Sequence, residues 1–152
     1  MNVSRASVLT AILRGGLLAG TVDIAAASLI NGISPLIILR AIASGLLGRA
    51  AFQGGLPVAL LGLFLQWAMS LLIAAIFVVA AQWMAWMRKR WVAAGLAYGV
   101  VVFVVMEYVV VPLSAAMKPH FTTWSLLENV AAMLLFGLIV SWFARGGAAR
   151  PG

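Results

Sequence analysis

The stretch SPLIILRAIASGLLGRAAFQGG, residues 34–55, is nearly as apolar as the sequence on either side of it, yet it carries two arginines, Arg40 and Arg49. Three readings compete for it: a membrane span, a helix lying on the membrane surface, or a segment that dips in and returns. Its apolar part, residues 35–47, makes a helix of about 20 Å, short of a hydrocarbon core about 30 Å thick. A surface-lying helix shows a broad charged face, whereas Arg40, Ser44 and Gly48 form only a narrow polar stripe. The expectation is a short re-entrant or interfacial helix tucked against the outer half of a bundle, with the chain turning back at Gly54 and Gly55.

On either side of that stretch the chain holds apolar runs of span length. Hydrophobic residues make up 65% of the sequence and charged ones 9%, far from a soluble domain and within the membrane class. Four spans are expected, at about residues 8–30, 57–80, 92–113 and 124–144, within a single all-α integral membrane domain covering 1–152. Pro57 suits a first helical turn, Pro112 and Pro119 bracket a turn, and Trp83, Trp86, Trp91, Trp124 and Trp142 fall where interfacial rings belong. A cleaved signal peptide is not expected at the start, because Arg14 and Asp23 interrupt the apolar run.

The net charge of +7 would suggest nucleic acid in a soluble chain. Here the cations flank apolar runs, so nucleic acid is not an expected partner, and the lipid bilayer and its anionic headgroups are. Arg5, Arg14, Arg88, Lys89, Arg90, Arg145 and Arg150 share one side of the four-span layout, against Arg40, Arg49 and Lys118 on the other. The positive-inside rule then places both termini in the cytoplasm of a bacterial inner membrane. The sequence contains no cysteine, which excludes disulfides and thiolate chemistry.

Two small-residue motifs recur, Gly16-Leu-Leu-Ala-Gly20 and Gly95-Leu-Ala-Tyr-Gly99. Glycines four apart form a groove that admits another helix, either within the bundle or in a homodimer. Each motif precedes a proline, Pro35 or Pro112, which hints at a duplicated two-helix unit.

Only three residues are acidic, Asp23, Glu107 and Glu128, and each falls within or at the edge of an expected span. An ionised group there is unfavourable by several kcal/mol unless paired or hydrated. Asp23 and Glu107 both lie about 15 residues, roughly 22 Å, from the cytoplasmic start of their spans. Asp23 continues the stripe Gly16, Gly20, Ala27 and so faces a helix contact. Gln66 stands in the outer half of the second span, and Arg40 and Arg49 are the nearest unassigned cations. Together Asp23, Arg40, Arg49, Gln66 and Glu107 form the candidate buried polar cluster. It is read either as a structural ion pair, Arg40 with Asp23 foremost, or as an ion, proton or solute site. Arg14 lies about 180° around the first helix from Asp23, so the two are not expected to pair. Ser125 and Glu128 fit a capping box at the fourth span. His120 stands alone beside Lys118 and Pro119, without the further ligands of a metal site. No nucleophile–base set, phosphate loop or metalloprotease signature occurs, so no enzyme, metal or cofactor is expected.

The blocks GLLAGTVDIAAA (16–27), SPLIILRAIASGLLGRAAFQGG (34–55) and YGVVVFVVMEYVVVPLSA (98–115) resemble a widespread group of small bacterial inner-membrane proteins. The last third, with ENVAAMLLFG (128–137), is distantly similar to YagU-type inner-membrane proteins. The resemblance implies a four-helix membrane protein without an assigned activity, and carries over Asp23, Arg40 and the Gly54-Gly55 turn. In that group a histidine tends to stand at the position of Gln66, an asparagine at that of Glu107, and another histidine near Ala132. These departures count against a shared metal or proton relay. The leading functional expectation is a non-enzymatic structural or accessory membrane protein. The alternative is a small-solute, ion or proton transporter or channel subunit.

Overall fold

The structure, a computed structural model, describes residues 4–116 and 122–146. Among these residues it is all-helical, and five helices are long and apolar enough to cross a membrane: Arg5–Asn31, Pro35–Gln53, Leu56–Trp83, Trp91–Leu113 and Thr123–Gly146. In detail they resolve into α1 (Arg5–Asn31), α2 (Pro35–Leu47) with a 3-10 turn (Gly48–Gln53), α3 (Leu56–Trp83), a short α4 (Ala85–Lys89), α5 (Trp91–Val105), a π-turn (Met106–Val110), α6 (Val111–Leu113) and α7 (Thr123–Gly146). The third apolar run, expected at 92–113, forms the membrane-length segment Trp91–Leu113 with a π-turn inside it.

Local chemistry sets the helix ends. Ser4 caps α1, its hydroxyl accepting from the Ser7 N–H at 3.2 Å. Gly32, with φ at 62°, ends α1 in the left-handed region that a side chain would oppose. Ser34 then caps α2, and Pro35 fills its first turn.

Neighbouring long helices run antiparallel. Gly16 lies against Leu71, Gly20 against Ser70 and Trp67, and Asp23 against Gln66, so α3 descends as α1 ascends. Gly95 against Ser141 and Gly99 against Met133 give α5 and α7 the same relation. The start of α3 therefore lies beside the end of α1, and α2 with its 3-10 turn leaves and returns at that one end of the bundle. We call this the loop end, and the opposite one, holding Arg5, Arg88 and Arg145, the basic end. In cross-section α1 packs between α3 and α7, α7 between α1 and α5, and α2 along α3. At the loop end the Ala115 N–H donates to the Gly45 carbonyl at 3.0 Å, tying α2 to the segment after α6.

Large apolar side chains point outward, with Leu29 83%, Trp83 86% and Leu113 83% exposed. The interior is built largely from Ala19, Ala74, Ala81 and Ala144 around Phe77, Val78 and Val140. Such an arrangement suits a lipid environment, where burying apolar surface drives nothing and helices associate through close backbone approach. At Gly62 an added Cβ would strike the Leu39 carbonyl of α2, and at Gly137 the Gly95 carbonyl of α5. Both glycine motifs are occupied within the chain, Gly16 and Gly20 by α3, Gly95 and Gly99 by α7. Each motif faces the next long helix, and in each a glycine meets a serine, Gly20 with Ser70 and Gly95 with Ser141. This is the pattern a duplicated hairpin would give.

The ring is loosest between α3 and α5, which are joined through Tyr98. Its hydroxyl donates to the Ile73 carbonyl at 2.7 Å, and its ring centroid lies 4.9 Å from that of Phe77. Tyr98→Phe keeps the ring contact and removes the bond, so thermal unfolding in detergent should show a loss of about 1 kcal/mol. An unchanged melting curve would show that the bond adds nothing.

Candidate functional site

In the loop-end half of the ring the four long helical segments leave a cleft of about 180 Å³. Asp23 from α1, Gln66 from α3, Glu107 from the π-turn and Asn129 from α7 line it, with Met106 and Met133 among its apolar walls.

Asp23 reaches the cleft because it continues the Gly16–Gly20 face that packs on α3. Gln66 then lies across from it: the side-chain amide Nε2 donates to Asp23 Oδ2 at 2.9 Å and to the Gly20 carbonyl at 3.2 Å. Both amide protons are used, so the orientation of the amide and the position of the carboxylate are fixed together.

Glu107 is placed by the π-turn, whose cause lies five residues further on. Pro112 has no N–H to give to the carbonyl one turn earlier, and its ring crowds that carbonyl. The backbone widens instead, and the Val111 N–H reaches back to the Met106 carbonyl. A π-turn rotates the residues within it relative to a regular helix. Glu107 Oε2 is buried and has no hydrogen-bond partner among the described residues.

Of the predicted polar cluster, the fold brings together Asp23, Gln66 and Glu107 and leaves Arg40 and Arg49 outside the cleft. The expected Arg40–Asp23 ion pair does not form: Asp23 is held by Gln66, and Arg40 Nε is buried without a hydrogen-bond partner among the described residues. α2 docks on α3 through Leu39 and Gly62, and in that position Arg40 does not line the cleft that holds both acids. Arg49, in the 3-10 turn, is exposed.

The capping box lies three residues earlier than expected. Thr122 precedes α7 and its hydroxyl accepts from the Ser125 N–H at 3.2 Å, while the Ser125 hydroxyl accepts from the Thr122 N–H at 3.0 Å. Ser125 is thus the inner member of the reciprocal pair, and Glu128 stands one turn beyond it. His120, Lys118, Pro119 and Arg150 lie outside the described residues.

Asn129 was not anticipated. Its Nδ2 donates to the Ser125 carbonyl at 2.7 Å, which holds the side chain on the cleft face. The signal was its position beside Glu128, four residues before Met133, inside an otherwise apolar helix.

On the basic-end side of the cleft lie Phe77, Tyr98 and the alanine-rich core. Two carboxylates facing one small space repel each other unless a proton or cation lies between them. Thioether and amide groups add soft and neutral oxygen ligands. Among the described residues no three His, Cys, Asp or Glu side chains gather as they would around a transition metal.

The chain matches no family model, no curated protein and no solved structure. Its class is defined by its own geometry: a small bundle of membrane-length helices around an acidic cleft.

Proposed function

We propose that the protein is an integral membrane protein that binds a small cation between Asp23 and Glu107, as a transporter or channel subunit and not as an enzyme. One observation carries this reading. The two carboxylates enter one cleft from opposite corners of the ring, and among the described residues no lysine or arginine lines it.

In this proposal α1, α3, α5 with α6, and α7 cross the bilayer, and α2 is a re-entrant or interfacial excursion. The antiparallel packing of α1 and α3 supports that topology. The concentration of cations at the basic end supports cytoplasmic termini in a bacterial inner membrane. Kinship with the YagU-type group belongs to the same proposal and rests on the sequence blocks quoted above. Four spans make a thin pathway, so copies of the chain would assemble, through faces other than the glycine grooves already filled.

A second reading, in which the acids serve the fold alone, is favoured by Gln66 holding Asp23 beside the Gly20–Ser70 contact. Flux into proteoliposomes separates the two. With sodium, potassium and proton gradients applied in turn, Glu107→Gln should slow uptake of the transported cation by roughly tenfold, the equivalent of one lost interaction of ~1.4 kcal/mol. Its melting temperature should stay near that of the parent. Unaltered flux with a lowered melting temperature would assign Glu107 to structure. A reporter fused after Gly152 that is active only outside the cytoplasm would overturn the orientation.

A further inference from the structure

At the basic end α1 and α7 enclose a groove of about 440 Å³ whose walls include Ala6, Thr10 and Arg14 on one side and Trp142, Phe143 and Gly146 on the other. Small residues on α1 and the terminal glycine of α7 leave the space open. Arg14 lies nine residues past Arg5, about 14 Å along the helix. A guanidinium at that depth is unfavourable unless it reaches an anion or water.

No acidic side chain can serve. The chain has three, Asp23, Glu107 and Glu128; the first two line the cleft in the other half of the bundle, and Glu128 adjoins Asn129 there. With no acidic side chain beside it, Arg14 is left to meet water or a bound anion. A second cation stands by the groove: the Arg145 guanidinium lies 4.0 Å above the Trp142 ring and 5.0 Å from that of Trp91. Beside Arg14, Leu13 and Leu17 are exposed on the same stretch of α1. Cations at one end of an apolar groove match a headgroup with hydrocarbon attached, and match a soluble phosphate poorly.

We propose that the α1–α7 groove seats one anionic phospholipid, its phosphodiester paired with Arg14 and its acyl chains along Leu13, Leu17 and Phe143. The seat is separate from the acidic cleft and rests only on the reading of the bundle as membrane-spanning. Flotation with phosphatidylcholine vesicles checks that reading by itself, and a chain that fails to float overturns both.

The seat is tested by native mass spectrometry of the full chain equilibrated with equal amounts of phosphatidylglycerol and phosphatidylcholine. The parent chain should retain phosphatidylglycerol preferentially, and Arg14→Gln should weaken that retention about fivefold, the equivalent of ~1 kcal/mol for one cation near an anionic surface. Thr10→Leu fills the groove while keeping every charge, and it should also lower retention. Arg90→Gln, in the linker, should leave it unchanged. Equal retention of the two lipids by the parent chain overturns the seat. So does an Arg90→Gln loss matching that of Arg14→Gln, which would reveal diffuse surface attraction, or a Thr10→Leu variant that binds like the parent.

Discussion

Gly137→Ala is expected to lower the melting temperature of the detergent-solubilised bundle by about 6–12 °C, the equivalent of ~3 kcal/mol for a chain of this size. A Cβ at this position would strike the Gly95 carbonyl and would lie 2.8 Å from the Gly99 backbone nitrogen. Both obstacles are backbone, so no rotamer change relieves them, and α5 must move away from α7 along the whole contact. In a bilayer the loss is not offset by fresh hydrophobic burial, because the released surface is equally content in lipid. Gly45→Ala is the matched control. Its Cβ would meet only Ser114 Cβ, at 3.9 Å, and exchanging glycine for alanine inside a helix stabilises by up to ~1 kcal/mol. Circular dichroism melts of the two variants should therefore shift in opposite directions. A Gly137→Ala variant that melts with the parent would sink the backbone contact between α5 and α7.

The second large effect concerns Gln66. Gln66→Leu removes both donors that face Asp23 and the Gly20 carbonyl, and should destabilise the bundle by about 2 kcal/mol. Side-chain hydrogen bonds within membrane proteins average ~0.6 kcal/mol and reach ~1.7. A bond to a carboxylate belongs at the upper end, and stranding an acceptor adds to it. Asp23→Leu combined with Gln66→Leu should then be less damaging than the sum of the single changes by about 1–2 kcal/mol, since neither partner is left unsatisfied. Arg40→Gln combined with Asp23→Asn should be additive within ~0.5 kcal/mol. Strong coupling in the Arg40 pair, with additivity in the Gln66 pair, would reinstate the ion pair and displace the amide.

Part of this architecture is legible in one dimension and part is not. The long apolar runs were legible because helix rise against bilayer thickness is a one-dimensional comparison, but α2 at Pro35–Leu47 continues through the 3-10 turn into a segment, Pro35–Gln53, that is itself long enough to cross. The glycine motifs were legible as contacts, but not as contacts with particular helices, since Gly95 and Gly137 meet only through three-dimensional register. Asp23 was recognised as facing a helix contact from its spacing to Gly20. Its partner is not legible in that way, because charge alone points to Arg40 whereas helix register sets the Gln66 amide against it. Pro112 was visible as a turn marker, yet its effect appears upstream, where the backbone widens at Met106 and brings Glu107 into the cleft. At α7 two hydroxyls stand three residues apart, Thr122 and Ser125, and both fit a cap by spacing, so only the fold distinguishes the leading one.

The bond from the Ala115 N–H to the Gly45 carbonyl bears on the order in which the protein assembles. Gly45 lies in the last turn of α2, where carbonyls lack partners within the helix. Its donor is made only after α3 and α5 have been synthesised, a delay of roughly 4–14 s at 5–20 residues per second. Until then the first hairpin waits with α2 held by α3 and, less extensively, by α1. Arrival of Ala115 latches the two halves at the loop end, so a nascent chain halted before Ser114 presents an unlatched α2 to proteolysis.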